Sequence, residues 1–176
     1  SLLSNSANHT ETSLEENQEF RKVYRSLDHF ILLLLILALP MFGMTYLFQT
    51  SGNITWNLPE LPILIGQMLT GAGIGLLLAQ YLVFRKRIKA VFESEDLLVK
   101  LKIYARATRE RYLLLFVVTI ICSCGLLLFG SAIFTVIFAT AFLFFSVAKP
   151  TPERVKKLLK LNDEDSEVIR LASRPD

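Results

Sequence analysis

The sequence predicts an all-α membrane protein: a four-transmembrane-helix bundle with a cytoplasmic helical hairpin extension and a C-terminal amphipathic helix. Three observations carry the prediction. The 176 residues are 52% hydrophobic and 20% charged, with a mean hydropathy of +0.45, whereas soluble domains run nearer about 45–50% apolar and about 25% charged. The apolar residues sit in blocks, and residues 30–48, 61–84 and 112–148 contain no Asp, Glu, Lys or Arg. The basic residues fall in alternate segments between those blocks. Blocks of this kind exclude an ordinary soluble fold and a disordered chain. The lack of apolar–polar alternation excludes a transmembrane β-barrel.

Residues 1–12 are rich in Ser, Asn, Thr and Glu and have little to bury, so the expectation there is disorder. A four-helix transmembrane domain then covers 13–148. Ser13 and Glu16 fit a capping box, and Phe20, Val23, Tyr24, Leu27 and Ile31 recur at helical spacing. The first helix is therefore expected to start near Leu14 and run into the first span, 30–48. The polar residues ahead of that span do not resemble a secretory signal, so it reads as a permanent anchor. Its 19 residues approach the roughly 20 needed to cross about 30 Å of hydrocarbon. Pro40 lies inside it, where a missing N–H weakens the helix. A polar stretch, 49–60, leads to the second span, 61–84, with Pro59 and Pro62 suited to its first turn.

Residues 85–111 read as a cytoplasmic hairpin that continues spans two and three. Phe84, Ile88, Val91 and Phe92 form one stripe, Leu97, Leu98, Leu101, Tyr104, Ala105 and Thr108 another, and Ser94 is the expected N-cap between them. Two short helices on the membrane surface are the alternative. The apolar run 112–148 has 37 residues, and one helix of that length would measure about 55 Å. It is therefore broken at Gly130-Ser131 into spans 112–129 and 132–148, with a re-entrant hairpin as the alternative. A break at Cys124-Gly125 would leave the first half too short to cross. The tail, 149–176, opens with Thr151 as a cap, Pro152 at the first helical position and Glu153 in the first turn. Val155, Leu158 and Leu159 mark its apolar side.

Orientation follows from Lys and Arg. Three precede the first span, nine lie between spans two and three, and seven follow the fourth, with none in the loop 49–60 or at Gly130. The positive-inside rule then places both termini and the hairpin on the cytoplasmic side. Arg85, Lys86, Arg87, Arg109, Arg111 and Lys149 are the expected lipid-headgroup contacts. This orientation accounts for the basic residues without nucleic acid.

Span two holds the best-defined pattern. Gln67, Gly71, Gly75 and Ala79 are four apart on one face, and Gly71-x-x-x-Gly75 lets helix backbones approach closely. The face serves either a homo-oligomer, with Gln67 hydrogen-bonding across it, or a neighbouring helix of the same chain. Other chemistry lacks its residues. No carboxylate lies in a span, as ion-coupled transport normally needs. Cys122-Ser-Cys124 has the wrong spacing for a redox Cys-x-x-Cys pair. His9 and His29 are not placed as axial haem ligands, and no metal-site spacing is present, so no cofactor and no enzyme activity are expected. Gln67, Gln80, Thr70, Thr119 and Thr135 are polar but neutral. Asn53-Ile-Thr55 matches a glycosylation sequon.

Arg106-Ala-Thr-Arg-Glu-Arg-Tyr-Leu-Leu-Leu115 opens one span, and Lys149-Pro-Thr-Pro-Glu-Arg-Val-Lys-Lys-Leu158 closes the next. Together they resemble small uncharacterised four-span inner-membrane proteins of Bacteroidota-type bacteria, over roughly residues 100–165. The resemblance implies a bacterial inner membrane and assigns no activity. The expected function is a non-catalytic membrane subunit or scaffold, packing through its spans and presenting a basic cytoplasmic surface to a partner. The alternative is a small oligomeric transporter or channel for an uncharged or weakly polar solute.

Overall fold

The computed structural model describes residues 2–51, 62–93, 96–161 and 167–171. These residues are helical throughout their regular parts, with no strand among them. The order is α1 (Leu2–Ser51), α2 (Ile63–Ile88), a 3-10 turn (Lys89–Glu93), α3 (Leu97–Phe129), α4 (Ala132–Val147) and α5 (Pro152–Leu159). Three stretches of helix, Gln18–Thr50, Ile63–Glu93 and Leu97–Phe129, are long and apolar enough to cross a membrane. α4 is apolar but has 16 residues. Pro59, the sequon at Asn53 and the expected cap Ser94 lie outside the described residues.

The chain divides into two compact units. One holds 31–84 and 109–149. Its centre is α3, which buries Tyr112, Leu115, Val118, Cys122 and Leu126. α4 lies antiparallel to α3: the Tyr112 hydroxyl donates to the Phe145 carbonyl at 2.7 Å, and Gly125 faces the Phe134 ring. Gly125 is therefore a notch inside α3 and not a break. A methyl group there would run into Phe134. The reversal falls at Gly130, whose φ of +64° lies in the left-handed region that only glycine adopts without steric cost. The Phe42 ring of α1 stacks on Phe138 of α4 at 3.7 Å, and Gln49 donates to the Leu127 carbonyl at 2.9 Å. Pro40 sits inside α1 without ending it.

Much of the apolar surface of α1 and α2 is not covered. Leu32, Leu33, Ile36, Leu37, Leu64, Met68, Leu78 and Leu82 are all more than half exposed. An apolar surface of this extent in water would drive association.

The other unit holds 1–30, 85–108 and 150–176. Phe20, Tyr24 and Leu27 of α1, Ile88 and Val91, Leu101, Tyr104 and Ala105 of α3, and Val155, Leu159, Leu161 and Ile169 form its buried apolar set. The Tyr24 hydroxyl donates to the Pro150 carbonyl at 3.0 Å. Lys160 Nζ lies 5.2 Å from the centre of the Phe92 ring. Asp96 caps α3, its carboxylate accepting from the Leu98 N–H at 3.1 Å, because it directly precedes the first helical residue. Thr151 caps α5 by accepting from the Arg154 N–H, and Lys160 closes α5 at φ +50°.

One expectation changes. Helix α1 begins at Leu2, where disorder is expected over 1–12. The described side chains from Leu2 to Asn8 are exposed and no core packing holds them. Once Phe20 to Leu27 anchor the helix, each added residue extends an existing hydrogen-bond ladder and avoids the nucleation cost.

Candidate functional site

The glycines of α2 fall on two faces. On one face, a Cβ at Gly66 would lie 3.2 Å from the Phe129 ring, and a Cβ at Gly73 would lie 3.4 Å from Ile137. These glycines let α3 and α4 come close to the α2 backbone. Gly71 and Gly75 differ. A Cβ at either would meet nothing within 4 Å, and both are exposed, as is Gln67, while Ala79 is half-buried. The four residues share one face, and within the described residues no neighbouring helix of the same chain covers Gly71 or Gly75. Gln67 also borders a groove of about 380 Å³ with Gly66, Thr70, Phe129, Ser131 and Phe134.

The buried stripe of α2 runs Gly73, Leu77, Gln80, Phe84 and Ile88. Gln80 is fully buried. Its Oε1 accepts from Arg111 Nε at 2.8 Å, and its Nε2 has no partner among the described residues. The Arg111 guanidinium lies 4.7 Å from the Phe84 ring centre and 6.0 Å from that of Phe144. Arg111 thus stands apart from the exposed cations. It is buried between α2 and α4, whereas Arg85, Lys86, Arg87 and Lys149 are exposed and Arg109 is half-buried. The reason is its place on α3, four residues from buried Ala107 on one side and from buried Leu115 on the other, which puts its stem on the inward face.

The sequence reading places Gln80 among the neutral polar residues and pairs it with nothing. The signal was present: Gln80 is three residues from Leu77 and four from Phe84 on the buried stripe. A buried amide must find a partner, and the first basic residue ahead of Tyr112 is Arg111.

Four Ser and Thr hydroxyls within the apolar helices turn to their own backbone. Thr70 donates to Gly66 O, Thr119 to Phe116 O, Ser123 to Thr119 O and Thr140 to Val136 O. Cys122 is buried and Cys124 exposed, two residues apart on different faces of α3. His29 is exposed. Among the described residues no three His, Cys, Asp or Glu side chains are grouped to hold a metal ion. No protein-family model, curated protein or solved structure matches the chain.

Proposed function

We propose that the chain is a non-catalytic subunit or scaffold of a bacterial inner membrane, spanning it four times, with both termini and the 85–111 hairpin in the cytoplasm. The uncovered face of Gln67, Gly71, Gly75 and Ala79 carries this reading. The glycines turned toward the chain's own helices are filled by Phe129 and Ile137. Those at 71 and 75 leave a smooth apolar face with an amide at its end, suited to close approach by another transmembrane helix. A polar amide in hydrocarbon gains from a partner across the contact. The exposed apolar surface of α1 and α2 supports immersion in lipid. The Lys and Arg distribution supports the orientation. In this reading α4 and its flanking residues form the fourth span, and Arg85, Lys86, Arg87, Arg109 and Lys149 lie near lipid headgroups. A pore is less well supported, because Thr70 and Thr119 direct their hydroxyls to their own helix and not to a polar path.

The test is native mass spectrometry of the protein purified gently from its host, for the wild type and for Gly75→Leu. Recovery with a different membrane protein, lost in Gly75→Leu, is the expected result. A closed homo-oligomer without partners favours the transporter or channel reading. A monomer in both cases removes the interface altogether.

A further inference from the structure

α1 has two unlike faces ahead of its apolar run. One buries Phe20, Tyr24 and Leu27. The other lines a shallow groove of about 600 Å³ with Gln18, Arg21, Lys22, Arg25, Ser26 and His29. All six are exposed except Arg25, which is half-buried. The spacing is informative. Arg21, Arg25 and His29 are successive i,i+4 neighbours, so two guanidinium groups and an imidazole stand along one face of α1. Glu19 and Asp28 stand on the flanks, three residues from Lys22 and Arg25. Gln18 and Ser26 add neutral hydrogen-bond donors. Arg25 lies five residues ahead of Phe30, where the uncharged run starts. The opposite face is held by burial and by the Tyr24–Pro150 hydrogen bond, so the basic stripe is fixed outward.

We infer that this stripe is a binding site for the phosphate of an anionic lipid headgroup in the leaflet that the proposed orientation makes cytoplasmic. The chemistry fits. Guanidinium groups match phosphate oxygens bidentately. A groove beside the start of an apolar helix is reached by a headgroup whose acyl chains stay in the bilayer. The inference rests on the proposed orientation, and it adds a second kind of partner to the one proposed at the Gly71–Gly75 face.

The experiment is native mass spectrometry of the full chain in detergent with phosphatidylglycerol or phosphatidylcholine of identical acyl chains. The wild type is expected to retain phosphatidylglycerol preferentially. R21Q/R25Q is expected to lower that retention about tenfold or more, since each basic residue near the surface contributes roughly a factor of five. R21K/R25K keeps the charge but loses the bidentate fork, and its retention is expected to fall between those of the wild type and R21Q/R25Q. The control K102Q/R106Q removes two exposed cations at the same i,i+4 spacing on α3 and stays within about twofold of wild type. Should R21Q/R25Q fail to fold, K22Q alone is expected to lower retention about threefold to fivefold. Equal losses in R21Q/R25Q and K102Q/R106Q would mean bulk charge and overturn the site, as would a wild type without lipid preference. A protein lost on R21Q/R25Q with lipid retention unchanged overturns it in favour of a protein partner. If the lipid preference is absent while a partner still leaves on Gly75→Leu, the site fails and the scaffold reading stands. The reverse pattern removes the scaffold reading and leaves the site.

Discussion

Arg111 Nε donates a 2.8 Å hydrogen bond to Gln80 Oε1, and both side chains are buried. The bond joins the start of the apolar part of α3 to the middle of α2. It fixes the rotation of both helices, because the guanidinium is also held against Phe84 and Phe144.

Gln80→Leu takes away the acceptor of Arg111 Nε and leaves a buried guanidinium one hydrogen bond short. The expected cost is about 2 kcal/mol, typical of a hydrogen bond to a charged group. Arg111→Met alone strands the Gln80 amide and costs about 1–3 kcal/mol. The double variant should cost clearly less than the two singles added. Thermal unfolding in detergent measures all three, and strict additivity would mean that the pair is not coupled.

Gly125 and Gly71 make a matched comparison. Gly125→Ala drives a methyl into the Phe134 ring and is expected to cost about 1–3 kcal/mol through overpacking. Gly71→Ala meets open space and should change monomer stability by less than about 0.5 kcal/mol. Equal melting temperatures for the two variants would contradict the packing of α4 on α3.

Tyr24→Phe removes a buried hydroxyl that reaches Pro150 across 126 positions. A loss of about 1 kcal/mol is expected, read as faster amide exchange in α5. Unchanged exchange at Val155 and Leu159 would show that the tail is held by apolar packing alone.

Asp96→Ala removes the cap of α3, at an expected cost of about 1 kcal/mol. Asp96→Asn keeps an acceptor and should recover most of it. Amide exchange at Leu98 is the direct readout, since its N–H is the donor.

The helical character and the long apolar segments are legible in the sequence because they depend on local composition and length. The α5 cap is legible for the same reason: Thr151 and Pro152 act within one turn. What the residues alone leave open is which face of a uniformly apolar helix turns inward. In α2 almost every position is apolar, so periodicity has little contrast, and the small residues at 66, 71, 73 and 75 look equivalent. Only the positions of Phe129 and Ile137, far along the chain, separate them. Arg111 was obscured similarly. Beside five other membrane-proximal cations it reads as one more headgroup contact, and its burial depends on α4. The start of α1 is not legible in composition, which describes what a segment can bury, whereas a helix already anchored downstream extends without burying anything.

At about 100° per residue, Gly71 and Gly75 lie some 160° around α2 from Gly73. Two helices can therefore grip α2 from opposite sides without competing for the same groove. A partner seated on Gly71 and Gly75 need not dislodge Ile137 from Gly73, so the fold can be complete before any partner arrives. A substitution on the outer face is then free to alter a contact there without first changing whether the chain folds.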